Sequence, residues 1–304
     1  MPVALVQLGA LEGVQVHHAP VGGVIWDRGA LLRLDDAEVT WRMPVADPPV
    51  LALAGRRLYV GTEGWVLCYD VRFGDEAWAV DCGAPIVALD AHPGGVDVLA
   101  GARVLAFDPR GEAGPIVSVD PGAMHLRRVG AKRYIATPAG VYRLVAEERP
   151  ALLYACRARA LHVREGGLHA LVEGPPGTVL AEDDGLAMVW PFPDATTHLL
   201  APWGRDEWAI TPLTGRGGLW VVDRRVLTRW QVPLPGRLLA LAVAGAAVAV
   251  AVEDGGHALA LIHPDVSTPL LLAIDGVDTL HAEGPRLNLT HAGRTVIFHV
   301  RDTT

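Results

Sequence analysis

The sequence predicts an all-β chain, and three observations predict it: a short apolar phrase that returns at a nearly fixed interval, three further strand-like stretches between its copies, and no amphipathic helical pattern longer than two turns. The phrase is a pentapeptide with a glycine no more than three residues before it, closed by an acid in five of its eight copies. The copies start at Leu31, Val66, Val104, Val141, Val179, Leu219, Leu259 and Val296, in steps of 35, 38, 37, 38, 40, 40 and 37 residues. A period of that size is one supersecondary unit used many times.

Each unit divides into four short strands, here a, b, c and d, with the pentapeptide as strand c. In the second unit they are expected at Val50 to Leu53, Leu58 to Gly61, Val66 to Asp70 and Ala77 to Asp81. Strand b recurs in step, as Val24-Ile25-Trp26, Val96-Asp97-Val98, Tyr134-Ile135-Ala136 and Val248-Ala249-Val250 show. The links are hairpin-length and carry glycine where a positive φ is needed. The inner strands of the seventh unit, Leu238 to Val243 and Val248 to Val252, are apolar on both faces, as sheets sandwiched between other sheets require.

Four antiparallel strands in about 38 residues, eight times over, are expected to form a single eight-bladed β-propeller spanning residues 1–304. After the eighth strand c only Arg301 to Thr304 remain, which leaves that unit one strand short, while Val3 to Leu8 is a surplus strand at the other end. The amino-terminal strand is therefore expected to complete the last blade and close the ring, removing an exposed edge.

One stretch carries a family resemblance. From Leu58 to Trp78 the chain is similar to the repeat of quinoprotein-like (PQQ-repeat-like) propellers, in which a strand ends in Asp, a Thr-Gly turn follows, and Trp stands four residues beyond the Gly. Asp70, Gly74 and Trp78 match, and Phe73 replaces the usual Thr; Trp41 and Trp230 echo the tryptophan in other units. The resemblance implies that Asp caps the c to d turn and that Trp fills the space between blades. It implies no quinone site, because no position matches the family's functional residues. The WD-repeat pattern fits less well, Trp26-Asp27 being its sole dipeptide and lying on strand b.

Composition removes several function classes. A net charge of −8, read with no basic cluster, argues against a nucleic-acid or anionic-membrane surface. Lys132 is the one lysine, so a phosphate-loop or Schiff-base lysine has no other candidate. The longest apolar run, Leu238 to Val252, would span only about 22 Å as a helix against a bilayer core of about 30 Å, and reads as two strands about Gly245. The amino terminus has no signal pattern and the three cysteines form no disulfide framework, so a cytoplasmic location is expected, with Cys68 and Cys82 as small buried hydrophobes.

Candidate chemistry is sparse. Gly174-Pro175-Pro176-Gly177-Thr178 resembles the opening of a phosphate loop but is followed by Val179-Leu180 where Gly-Lys must stand, and reads as a b to c turn. His263, Asp265 and Ser267 supply triad residue types within one loop that cannot hold both sides of a substrate. His125, His162, His198 and His281 lie on or beside strand a of units four, five, six and eight, with His17 and His18 in unit one. Lining the channel, they are the alternative site for a transition metal, although no ligand spacing supports them. Trp203, Arg205 and Trp208, at the a to b turn of unit six, combine the residue types that anchor protein interfaces.

These readings converge on a non-catalytic protein-protein interaction scaffold without a cofactor, in a larger cytoplasmic bacterial assembly. In size it resembles stand-alone propellers encoded beside MoxR-type ATPases and von Willebrand A domain proteins in bacterial conflict and defence systems. The alternative is a channel-mouth ligand binder or an enzyme with a histidine-bound metal.

Overall fold

The computed structural model describes residues 3–12, 23–27, 29–35, 38–45, 47–144, 150–155, 158–164, 167–174, 177–182, 185–189, 198–203, 207–212, 218–223, 228–263, 268–283, 285–292 and 294–302. Among these residues every regular element is a strand. The chain opens with β1 (Val3–Glu12). The first sheet holds β2 (Val24–Asp27), β3 (Ala30–Asp35) and β4 (Glu38–Pro44). The second holds β5 (Val50–Ala54), β6 (Arg57–Gly61), β7 (Trp65–Asp70) and β8 (Glu76–Asp81), and the third β9 (Ile86–His92), β10 (Gly95–Ala100), β11 (Arg103–Phe107) and β12 (Val117–Ser118). The fourth is built from β13 (His125–Val129), β14 (Lys132–Thr137), β15 (Gly140–Leu144) and β16 (Ala151–Tyr154). The fifth follows with β17 (Ala158–Arg164), β18 (Gly167–Gly174), β19 (Gly177–Glu182) and β20 (Gly185–Val189). The sixth contains β21 (His198–Trp203), β22 (Glu207–Pro212), β23 (Gly218–Asp223) and β24 (Thr228–Pro233). The seventh contains β25 (Arg237–Ala244), β26 (Ala247–Glu253), β27 (His257–Ile262) and β28 (Leu270–Ile274). The eighth joins β29 (Thr279–Glu283), β30 (Arg286–His291) and β31 (Arg294–Asp302) to β1, in the order β1-β31-β30-β29.

The expected four strands of the second unit are thus present to within a residue or two at each end. In the first unit the expected strand a, with His17 and His18, falls in 13–22, outside the described residues. The amino-terminal strand pairs antiparallel with β31, from Val3 opposite Asp302 to Glu12 opposite Arg294, with a register shift between Gln7 and Gly9. It runs four residues beyond the expected Val3 to Leu8, because β31 is itself nine residues long and offers backbone partners that far.

The chain divides into two compact units, Trp41–Val189, and Met1–Thr40 together with Trp190–Thr304. Within the first of these, the leading strands lie side by side, β5 beside β9, β9 beside β13 and β13 beside β17. Each apolar cluster there draws on two successive sheets: Tyr59, Cys68, Ile86 and Val98 between the second and third, Leu99, Leu126 and Ile135 between the third and fourth, and Tyr134, Leu161 and Leu168 between the fourth and fifth. Within the other unit, β21 lies beside β25 and β25 beside β29, with clusters centred on Val248, Val250 and Ile262 and on Ala249, Leu287 and Phe298.

Side-chain alternation explains this layering. In β10, Val96, Val98 and Ala100 join the cluster shared with the second sheet, while Leu99 joins the one shared with the fourth. The second strands β10 and β26 are buried along nearly their whole length, whereas the outer strands β4, β8 and β28 are largely exposed. Cys68 and Cys82 are free, buried thiols, and burial raises the pKa of both.

Candidate functional site

Two turns in the Trp41–Val189 unit are built alike, and they set one end of the sheets. In the second sheet, Asp70 closes β7 and its Oδ1 accepts the Arg72 N–H at 2.9 Å, while its backbone carbonyl accepts the Gly74 N–H at 2.8 Å. That capping holds the Asp70 carboxyl below the usual carboxylate range, with the Arg72 N–H as the leading cause. In the third sheet, Asp108 follows β11 and its Oδ1 accepts the N–H groups of Arg110 at 2.7 Å and Glu112 at 2.9 Å. Its carboxyl is likewise lowered, first by the Glu112 N–H.

A tryptophan from the preceding outer strand locks each turn. The Trp41 indole donates to the Val71 carbonyl at 3.0 Å, and the Trp78 indole to the Pro109 carbonyl at 3.2 Å. Each ring lies under the turn glycine, where an added Cβ would meet it at 3.3 Å for Gly74 and 2.9 Å for Gly111. Both glycines have positive φ, +77° and +87°, so close approach and backbone conformation each call for glycine. Trp78 also packs between Tyr59 and Phe107, with 5.9 Å between ring centroids on either side. The Asp70, Gly74 and Trp78 positions singled out from the sequence therefore do what the resemblance implies, although Asp70 and Trp78 serve successive turns.

At the same end, Phe73 is 57% exposed, with the Arg56 and Arg72 guanidinium carbons 5.9 and 5.3 Å from its ring centroid. Arg56 also pairs with Asp70 at 2.9 Å. An exposed aromatic ring between two guanidinium groups is the composition expected of an interface anchor.

Beside the Asp108 turn lies a cleft of about 650 Å³ between the third and fourth sheets, lined by His92, Gly94, Asp108, Glu112, Arg128 and Gly130 among others. Two of its lining residues, His92 and Arg128, belong to an ionic cluster. Asp90 and Asp97 face each other across β9 and β10, and Arg128 and Arg133 face each other across β13 and β14. Like charges in such positions repel, and each pair relieves the other. Asp97, fully buried, accepts from Arg133 Nε at 2.7 Å and from Arg128 Nη1 at 3.0 Å. Asp90 accepts the Arg128 backbone N–H. Burial raises the Asp90 pKa, opposed first by Arg127.

His92 completes the cluster. Its Nδ1 accepts the Gly94 N–H at 3.1 Å, which puts the ring proton of the neutral form on Nε2, 3.8 Å from Asp97 and 3.3 Å from Arg128 Nη1. Burial, then the Arg128 charge, lowers its pKa and keeps the ring neutral at pH 7. Arg127, Arg128, Lys132 and Arg133 are four cations in seven residues, so the chain does contain a basic cluster, contrary to the expectation from its composition. Arg128 and Arg133 are turned onto acids of the third sheet instead of forming a phosphate-binding surface. The available signal was the acid at the centre of Val96-Asp97-Val98, which a strand apolar on both faces can hold only if it is paired.

The sequence-selected residues are placed unevenly. Trp203 is the last residue of β21, opposite Glu207, and Trp208 lies in β22 opposite Pro202 and Val222. Trp203 is therefore a strand residue and not a turn residue, because the ladder between β21 and β22 continues to the Trp203 and Glu207 pair. Arg205 lies outside the described residues. His125 starts β13, and His162, His198 and His281 lie in β17, β21 and β29, so all four are on leading strands. No cluster of three or more His, Cys, Asp or Glu side chains suited to a metal occurs among the described residues. Gly174 pairs with Gly177, making the phosphate-loop look-alike a hairpin connection. His263 is buried, while Asp265 and Ser267 lie outside the described residues. No helix among the described residues is long and apolar enough to cross a membrane.

Solved structures match the fold over nearly the whole chain. BamB from Moraxella catarrhalis superposes with a TM-score of 0.66 at 16% identity, covering 97% of this chain and 100% of that one. The C-terminal WD40 domain of Sif2 gives 0.72 at 11%, covering 98% and 99%. The chain has a β-propeller-like fold. The computationally designed protein Ika8 gives 0.73 at 11% identity, covering 97% and 99%. At these identities the likeness concerns the fold alone, spread over several kinds of propeller and not one quinoprotein family. No protein-family model matches the sequence. No curated protein matches it either.

Proposed function

We propose that this chain is a non-catalytic interaction scaffold that binds a protein partner at the turn end carrying Phe73 and the neighbouring cleft. The observation that carries the reading is the exposed Phe73 ring between Arg56 and Arg72. It sits on a turn pinned by Trp41, so little ordering is required on binding. Arg128 of the cleft wall is committed, together with Arg133, to Asp97, which suits a rigid surface better than proton transfer. The same proposal takes the chain as one closed, eight-bladed ring of the quinoprotein-like kind, supported by the β1 and β31 pairing and the tryptophan-to-turn contacts. It also takes the setting as a cytoplasmic bacterial assembly, on the sequence grounds given above, with Trp203, Arg205 and Trp208 as a second contact region.

The test is crosslinking and co-purification from the source cell, with the full chain carrying Phe73→Ala and Arg72→Ala, beside a second protein carrying Trp203→Ala and Arg205→Ala. Losing a central aromatic anchor is expected to weaken the complex by about 2 kcal/mol or more, roughly 30-fold in affinity. Wild-type recovery of every partner by both folded double variants would refute the scaffold surfaces named here.

A further inference from the structure

The outer strands of the sheets are guarded against further pairing, and one is not. Register shifts interrupt the outermost ladders of β7 with β8 (Cys68/Tyr69), β15 with β16 (Val141/Tyr142), β19 with β20 (Leu180/Ala181), β23 with β24 (Val221/Val222) and β31 with β1 (Gln7/Gly9). Such bulges bend and twist an edge away from new partners. β12 is only two residues long, and β4 exposes Glu38 and Arg42 and ends on Pro44. Each of these is a recognised protection of a sheet edge.

β28 has none of them. It pairs with β27 through five consecutive residues, from Leu270 opposite Leu261 to Ile274 opposite His257, with no shift. Its sequence, Leu270-Leu271-Leu272-Ala273-Ile274, contains no charge and no proline, and its three leucines are 46%, 50% and 39% exposed. It is the last strand of its sheet, so its second edge has no partner among the described residues. Against it opens a cavity of about 250 Å³ lined by Leu272, Ile274, Leu289, Val296 and Phe298, with Asp275, His291 and Arg294 also at its wall.

We infer that β28 is a docking edge for an extended segment of a partner protein, which adds a strand to the seventh sheet and inserts one bulky apolar side chain into the cavity. A five-residue edge offers well under the roughly 800 Å² per partner of a stable globular interface, so a second copy of this chain is poorly served by it. A single added strand is well served, because main-chain hydrogen bonds supply the affinity and a pocket for one side chain supplies the selection. The cavity has room for one large apolar side chain. This inference does not rest on the turn-end reading, since it concerns a different surface.

The experiment uses the full chain and a synthetic, capped nonapeptide of alternating threonine and valine with phenylalanine at its centre, added up to about 1 mM, the weak end of specific binding. Backbone hydrogen exchange across 268–275 is followed together with sedimentation. Binding is expected to slow exchange at 270–274 by about tenfold or more at saturation. Leu271→Lys, which puts a charge on the edge at an already exposed position, is expected to weaken binding about tenfold or more, the effect of a protecting edge lysine. Val296→Phe, which fills the cavity and leaves the edge intact, should weaken the phenylalanine peptide but not its alanine counterpart. Should Leu271→Lys lose the wild-type circular dichroism, Ala273→Lys replaces it. Failure of the peptide to slow exchange at about 1 mM, or slowing indifferent to the lysine, overturns the inference. So does a dimer of the chain that the lysine abolishes, which would give the edge to a second copy.

Discussion

The interface between the second and third sheets and that between the third and fourth use the two faces of β10 in opposite ways. Toward the second sheet, Val96, Val98 and Ala100 meet Tyr59, Cys68 and Ile86, and the Trp78 ring seals the turn end with one indole hydrogen bond. Toward the fourth sheet, Leu99 packs among apolar groups while Asp97 is given over to Arg128 and Arg133. The first interface is non-directional and tolerates conservative change, because its stabilisation is roughly proportional to apolar area buried. The second demands geometry. A buried ion pair adds little over an apolar pair of similar shape, but removing one partner strands the other charge in a low dielectric. Adjacent sheets of one repeat can thus be joined by means that differ in their response to pH and mutation.

The largest effects should come from breaking each interface. Asp97→Ala leaves two guanidinium groups without their carboxylate and is expected to cost about 3–5 kcal/mol in urea unfolding. Trp78→Ala empties the opposite interface at a similar cost of about 3–5 kcal/mol, but with no new dependence on pH. If Asp97→Ala proves as mild as a surface substitution, within about 0.5 kcal/mol, the ionic interface is not what holds those sheets together. Gly111→Ala should be intermediate, at roughly 1–3 kcal/mol, since it forces both an unfavourable φ and a shift of the Trp78 ring.

A smaller effect separates the interfaces by pH. The folded-state pKa of His92 is depressed, so the folded chain binds fewer protons here than the unfolded one. Its contribution is present above the ordinary histidine value of about 6.5 and is lost as pH falls through the lower folded value. Asp90 acts with the opposite sign: its raised pKa makes it most favourable when protonated, and that contribution is lost as pH rises through the folded value. Urea midpoints should therefore fall less steeply from pH 7 to 5 in His92→Gln than in the wild type, and more steeply in Asp90→Asn as the pH is lowered further, toward the ordinary carboxylate value of about 4. Identical slopes in all three proteins would remove the ionic cluster as a pH-sensitive element.

The smallest effect expected is on the apolar side. The buried Tyr59 hydroxyl has no hydrogen-bond partner among the described residues, and burial pushes its pKa up to about 12. Tyr59→Phe removes a polar group that costs something to bury, so thermal unfolding should shift by less than about 1 kcal/mol, toward greater stability.

How far the sequence foretold this depends on the range of the interaction. Strand positions, the glycine-marked turns and the Asp70, Gly74 and Trp78 pattern are written in neighbouring residues, and they were legible. The ionic cluster joins Asp97 to Arg128 and Arg133 across separations of 31 and 36 residues, about one repeat, so each charge looks ordinary in its own unit. Trp203 reads as a turn residue because Pro202 and Gly204 flank it, yet cross-strand pairing with β22 carries the ladder that far. The unguarded edge of β28 was invisible for a related reason: the bulges that set the other outer strands apart exist only in the pairing register.

The pairing of β1 with β31 bears on the order of events during synthesis. Every other ladder in the described sheets joins strands close together in the chain, whereas Val3 meets Asp302 only after the roughly 300 residues between them have been made. At about 5–20 residues per second, the apolar amino-terminal strand waits some 15–60 s for its partner, exposed to any open sheet edge that appears first. Translation speed then sets how long that strand stands open to capture by another chain before the eighth sheet receives it.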